Sequence, residues 1–598
     1  MSQNGPARRC QDALLAWLLV CACTMPSAAR TDEPADIVLR GGAIYTVDAA
    51  RSWAEAVAIR GEEIVFVGSN DDAASHVGSK TTVIELGGKM VLPGFQDSHI
   101  HPISAHLKQQ MCQLTGLAGR DAYLEKIRKC VQSDPDSPWI TGAGWSHSHF
   151  DADHRPDKRL LDEIEPNRPI TLVSYDGHSV WANSIAMELS GIDASTDDPP
   201  SGIIERYPGS REPLGLFLED PAIKLILRAA PDLTDEQRFN ALIDVQTFLN
   251  SLGITSIQDA WVELENVGLY GTIPAYQRAA AEGRLSLRVV AALYWRPDRG
   301  MEQLTQMKQI RSASHHDFFR ASTIKIWQDG VMHTRTAKLL DDYLDRPGER
   351  GLSMFTQEQL NQVVAAADRE GFQVHIHADG DGALRESLNA FAFAREKNGA
   401  RDSRHHVAHL ELVHPDDIPR LRKLGVIANV QPLWSTSRRY VGDLIRVKLG
   451  QERKRWMEVN RSFLQAGVTT AYGSDWFVTS PNPMDLIEAA VTRIRPALPL
   501  EDKRTAEPML PGEEVTLGQA IASYTISGAF ANHQEEITGS LEVGKLADIV
   551  VLEKNLFEVE PVRISETRVL LTFLAGRLVH GTLPLAANDG QSSVTGDQ

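Results

Sequence analysis

Four times along the middle of this chain, a helix-like segment closes in glycine and feeds a short apolar strand with a polar end. TDEQRFNALIDVQTFLNSLG leads into ITSIQDA, TQEQLNQVVAAADREG into FQVHIHADGD, HPDDIPRLRKLG into VIANVQP, and VNRSFLQAG into VTTAYGSDW. Thr234 and Thr356 sit where helix N-caps belong, and Gly253 and Gly371 where helices stop. Repeated αβ units imply a parallel sheet. Over residues 93–536 the arrangement predicts an α/β fold, a (β/α)8 TIM-like barrel. A doubly wound open sheet is the alternative, but no G-x-G-x-x-G follows a first strand to support it. In such barrels functional side chains lie at the C-terminal ends of strands, which is where the polar residues fall here.

The ends of the chain have a different texture. DIVLRGGAIYTVD, EAVAIRGEEIVFVG and TTVIELGGKMVLPG are strand-rich and broken by glycine turns, and so are ITGSLEVGKLADIVVLE and RVLLTFLAGRLVHG. The economical reading is one small β-sandwich domain built from both ends, residues 36–92 and 537–582. Two separate small β domains are the alternative.

Residues 1–29 read as a secretory signal peptide: Arg8 and Arg9, an apolar run from Ala13 to Cys23, then Ser27-Ala28-Ala29. The rival is a lipoprotein signal with lipid on Cys23. The expected location is therefore periplasmic or secreted, with a lipid-anchored form in the cell envelope as alternative. No other segment has the length and apolarity of a transmembrane helix. A net charge of −18 argues against nucleic acid or an anionic membrane as partner. A small-molecule substrate and a homo-oligomer are expected instead. Three of the five cysteines fall in the signal. Cys112 and Cys130 remain, as one bridge or as two buried thiols.

The strand ends carry the chemistry. In VLPGFQDSHIHP, His99 and His101 are two residues apart and face one side of a strand. Imidazole is the commonest protein ligand for a transition metal. Lys325 sits between Ile324 and Ile326, which is costly unless the amine is paired, modified or reaches solvent. His375 and His377 again share a strand face, with His377 nearer the end. His409 follows in HVAHLELV, and Asp475 ends AYGSDW.

With these motifs in order, the chain resembles the amidohydrolase superfamily, in the branch that contains N-substituted formamide deformylases. The resemblance also covers GAGWSHSHF, DGHSVWANSIAM and GSLEVGKLADIVVL. It implies a metal-dependent hydrolase of a non-peptide C–N bond in an amide, formamide or cyclic amide, working by metal-activated hydroxide. It implies that His99, His101, His377, His409 and Asp475 bind one or two divalent metals, zinc by assumption. A carboxylated Lys325 would bridge them and Asp475 would act as general base. Asp381 corresponds to the family's aspartate and is expected to orient a ligand. Asp379 stands where the family has isoleucine and is expected to add negative charge. Trp145, His178 and Trp181 are candidate pocket-lining groups, with core packing as the other reading of the tryptophans. Asp259 and Gln431 end strands and could line the site. An ester hydrolase or isomerase on the same metal site, or a non-catalytic binding protein, is the alternative function.

Overall fold

Eight parallel strands form the centre of the computed structural model, which describes residues 33–150, 155–436 and 444–583. They are β1 (Phe95–Ile100), β2 (Ile254–Val262), β3 (Arg288–Tyr294), β4 (Phe319–Trp327), β5 (Gln373–Ala378), β6 (His406–His409), β7 (Ile427–Val430) and β8 (Thr470–Tyr472). Each pairs in parallel with the next. The ring closes between β8 and β1, where the Asp475 amide donates to the His99 carbonyl at 2.7 Å and Ser98 Oγ to the Tyr472 carbonyl at 2.7 Å. This is the expected barrel and not the open sheet. The expected signal peptide and its Cys23 lipid site lie outside the described residues. Among the described residues, no helix is long and apolar enough to cross a membrane.

The helices before β2 and β5 form for the reasons their sequences suggest. Thr234 and Thr356 each accept from the N3 amide of their helix, and Gln237 and Gln359 return the bond to the cap amide, a complete capping box. Gly253 ends the first helix with φ +81°, and a Cβ there would stand 2.8 Å from Val550 and 3.0 Å from Phe95. Only glycine lets this turn pass between the barrel and the sheet built from the chain's two ends.

The two ends of the chain share one sheet. Strands Ile37–Tyr45, Trp53–Arg60, Glu63–Gly68 and Met90–Pro93 join Ile549–Leu552, Val569–Leu574 and Arg577–His580 through the antiparallel pairing of Met90–Pro93 with Ile549–Leu552. Leu39, Val57, Ile64, Val91, Ile549 and Phe573 bury one common core. The sheet is fastened to the barrel by Arg288 of β3, whose Nε meets Asp548 Oδ2 at 3.0 Å with both side chains buried. Removing one partner of such a pair costs about 3–5 kcal/mol.

Between β1 and β2 a six-stranded sheet is inserted, in the order Ile203–Arg206, Pro213–Leu218, Ser179–Ala182, Ile170–Ser174, Ile140–Trp145, Cys112–Gln113. It has its own core. Cys112, on its edge strand, is disulfide-bonded to Cys130 on helix Arg120–Ser133. The two thiols thus form a bridge, one of the two alternatives open from sequence.

Candidate metal centre

The barrel's C-terminal mouth gathers the expected side chains around one cavity lined by His99, His101, Lys325, His377, His409 and Asp475. They arrive there by register. Lys325 of β4 lies beside His375 of β5, and Trp327 beside His377, so one face of each strand points inward. His409 closes β6 and Asp475 follows β8, and both hold left-handed backbones, with φ 81° and 51°. Strained non-glycine residues of this kind cluster at functional sites.

His99, His409 and Asp475 each offer a ligand atom, and the three atoms lie within 4.8 Å of one another. Asp475 Oδ1 is 3.4 Å from His99 Nε2 and 3.2 Å from His101 Nε2. The ring centroids of His377 and His409 are 4.4 Å apart. Burial is the main cause holding His99 and His377 well below the usual imidazole range and His409 down at about 3. These rings are therefore neutral and present lone pairs. Burial also pushes the Lys325 amine down to about 7. Asp475 is buried too, yet hydrogen bonding to His101 and the electrostatic pull of His409, His101 and Lys325 hold its carboxyl below the usual range, so it is ionised. Neutral imidazoles, an ionised carboxylate and a partly deprotonated amine are the donors a divalent cation takes. His99 Nε2 is buried and makes no hydrogen bond, as a nitrogen awaiting a cation would.

The rings of His377 and His409 are also held from behind. His377 Nδ1 meets Asp329 Oδ1 at 3.2 Å, and Asp329 further accepts from the amides of Lys338, Asp379 and Gly380 at 2.8, 3.0 and 2.9 Å. The orienting role expected of Asp381 thus falls to Asp329. Asp381 instead accepts from the Leu340 amide at 2.9 Å. Asp329 stands in the WQDG stretch just past β4, where a polar residue at a strand end was the available signal. His409 Nδ1 meets Gln431 Oε1 at 3.1 Å, so Gln431 supports the His409 ring rather than lining the cavity.

Four other expectations change. Trp145 and Trp181 are fully buried in the core of the inserted sheet, where Trp145 Nε1 donates to the Leu172 carbonyl at 2.8 Å. They are core aromatics. Asp259 does not line the cavity, because its carboxylate takes the Tyr276 hydroxyl at 2.9 Å from the helix that follows β2. Asp379 is completely buried with neither carboxylate oxygen hydrogen-bonded, and burial with nearby Glu411 drives its pKa well above the usual range. It does not add a negative charge to the cavity. His178 does line the cavity, with its Nδ1 2.9 Å from the buried Glu219 Oε2 and its ring 5.3 Å from that of His377. Burial would lower its pKa, but Glu219 raises it above the ordinary value. The sequence pattern did not single out the aromatic wall of Trp261, Tyr270, Trp327, Trp434 and Phe477, nor Asp176 and Asp220 beside it. Tyr270 and Phe477 sit in loops, which carry no periodic signal, and Trp261 and Trp327 end strands, where an aromatic reads equally well as core. Trp434 lies flat on His409, with centroids 4.9 Å apart and planes 4° from parallel.

Residues 82–580 match the model of the amidohydrolase family. The chain belongs to that family. It is 30% identical to Protein LONG AFTER FAR-RED 3 of Arabidopsis thaliana, with 91% of this chain and 92% of that protein aligned. It is 26% identical to an N-substituted formamide deformylase of Arthrobacter pascens over 91% of this chain and 98% of the relative. An uncharacterized metal-dependent hydrolase from Pyrococcus horikoshii OT3 has the same fold, with a TM-score of 0.68 and 23% identity over 88% of this amidohydrolase and 99% of that chain.

Proposed function

We propose that this amidohydrolase cleaves a non-peptide C–N bond in a small amide, formamide or cyclic amide, using a divalent metal, zinc in the first instance. The observation that carries the proposal is the convergence of His99, His409 and Asp475 within 4.8 Å, in a cavity that also holds a buried lysine. A bound cation polarises a carbonyl and acidifies water. His99 of β1, His101 just beyond it, and His377 and His409 from β5 and β6 would hold one or two such cations. Lys325 carries carbon dioxide as a carbamate, whose new N–C bond forms as the amine releases a proton to solvent. Its depressed pKa supplies the free amine at neutral pH. Asp475 takes the proton of the attacking water on its carboxylate and hands it to the departing nitrogen. His178, steadied by Glu219, keeps its other nitrogen for a substrate polar group. The aromatic wall excludes water around the substrate. The relative from Arthrobacter pascens, by name a formamide deformylase, supports the amide reading. We further propose export, supported by the basic and apolar start of the sequence and by the Cys112–Cys130 bridge.

The test is metal content per chain, for wild type and Lys325→Ala grown with bicarbonate, with turnover on a panel of formanilides, carbamates and esters. The expected result is about two metals in wild type, fewer in the variant, and amide cleavage. Metal with ester cleavage alone would move the reaction class to esters. No metal and no cleavage would overturn the proposal.

A further inference from the structure

His375 shares its strand face with His377 but lies deeper in the barrel, completely buried and outside the cavity. Nothing in the proposed chemistry uses it. Its two ring nitrogens nevertheless sit in a hydrogen-bonded series whose direction can be read from one end. Gln373 Nε2 donates to two backbone carbonyls, of Ala531 at 2.6 Å and Arg404 at 2.8 Å. Carbonyls only accept, so the Gln373 amide has one orientation and its Oε1 faces the other way. That oxygen receives Gln258 Nε2 at 3.2 Å, and the same nitrogen donates to Asn532 Oδ1 at 3.0 Å. Gln258 Oε1 therefore faces His375 Nδ1 at 2.7 Å and requires a proton there. His375 Nε2 lies 3.0 Å from His99 Nδ1. One hydrogen bond joins the two rings and holds one proton, and an imidazole that keeps its Nε2 lone pair for a metal carries that proton on Nδ1, so His375 Nε2 accepts. His99 must then carry its proton on Nδ1 and turn the lone pair of Nε2 into the cavity.

We infer that His375 is a positioning residue that, through Gln258 and the backbone at the barrel's N-terminal end, fixes the tautomer and ring orientation of His99 for metal binding. His377 and His409 achieve the same end directly, through Asp329 and Gln431. Only His99 is held through a second imidazole. The inference rests on His99 being a ligand, as proposed above.

The experiment is zinc affinity by chelator competition on the full chain, for wild type, His375→Leu, His375→Gln and Gln258→Leu. Loss of a group that orients a ligand typically weakens binding by about 10–100-fold, and this is expected for His375→Leu. Glutamine carries an acceptor and a donor in one side chain, so His375→Gln is expected to recover to within about threefold of wild type. Gln258→Leu, which leaves His375 in place but removes the oxygen that sets its tautomer, is expected to weaken zinc several-fold and serves if His375→Leu does not fold. Wild-type affinity in folded His375→Leu or in Gln258→Leu overturns the inference. Equal losses in His375→Leu and His375→Gln also overturn it, because they mark a packing role. A wild type that takes up no zinc overturns the metal-centre reading itself, which separates the two failures.

Discussion

His99 Nε2 stands 3.4 Å from Asp475 Oδ1, while the amide of Asp475 donates to the carbonyl of His99 at 2.7 Å. The first and last barrel strands are thus joined through the same two residues that face each other in the cavity. Closure of the ring and assembly of the centre are one event, so a defect in either residue is felt by both.

Asp475→Asn tests the proton-transfer role. The amide keeps the side chain's shape and one oxygen, but it is a poor base. Turnover is expected to fall by about 10²–10⁴-fold, with metal content largely kept. Steady-state kinetics with elemental analysis on one preparation check this, and full activity would remove Asp475 from the base role.

Lys325 gives a pH prediction. With its pKa at about 7, the amine is protonated below that value and cannot add carbon dioxide. At constant dissolved carbon dioxide, metal uptake is expected to rise several-fold between about pH 6 and 8, with a midpoint near 7. The metal-free protein should also gain stability as pH climbs from about 7 towards 10.5, because the unfolded chain still holds a proton that the folded amine has shed. Lys325→Met should lose both dependences, and uptake that ignores pH in wild type would contradict the carbamate.

Trp181→Ala separates packing from substrate contact. Its side chain is completely buried away from the cavity. Truncation is expected to destabilise by about 3–5 kcal/mol, read by denaturant unfolding. Protein that remains folded should keep its KM for any amide the wild type cleaves.

Cys130→Ser opens a loop of 18 residues at the edge of the inserted sheet. The expected loss is about 3 kcal/mol, mainly from freedom regained by the unfolded chain. Unfolding with and without reductant measures it, and the wild type in reductant should match the variant.

Residues whose roles follow from strand alternation were legible before any coordinates. His99, His101, Lys325, His377, His409 and Asp475 all reach the cavity as placed by period and strand end. Residues whose roles depend on which loop folds over which strand were not. Asp329 and Asp381 are both acidic and both follow a strand, and only the fold shows that the first meets His377 and the second a loop amide. Trp145 and Trp181 sit in a stretch with strong motifs, but an aromatic in a motif reads the same whether it faces a substrate or a core. The inserted sheet mixes parallel and antiparallel pairs on short strands, and lacks the repeated helix-to-strand rhythm that betrayed the barrel.

The pairing of Met90–Pro93 with Ile549–Leu552 also joins a segment made early in synthesis to one made near its end. The strand that delivers His99 runs directly out of Pro93, and the Gly94 amide donates to the carbonyl of Asp548 at 2.9 Å. A nascent chain can lay this segment only against Ile37–Tyr45, through Ala43 and Ile44, and its other edge stays open until Ile549–Leu552 has been made. His99 and His101, the earliest of the cavity histidines in sequence, thus hang from a strand whose second neighbour comes near the chain's end, and a chain interrupted before that point carries them on an unfinished frame.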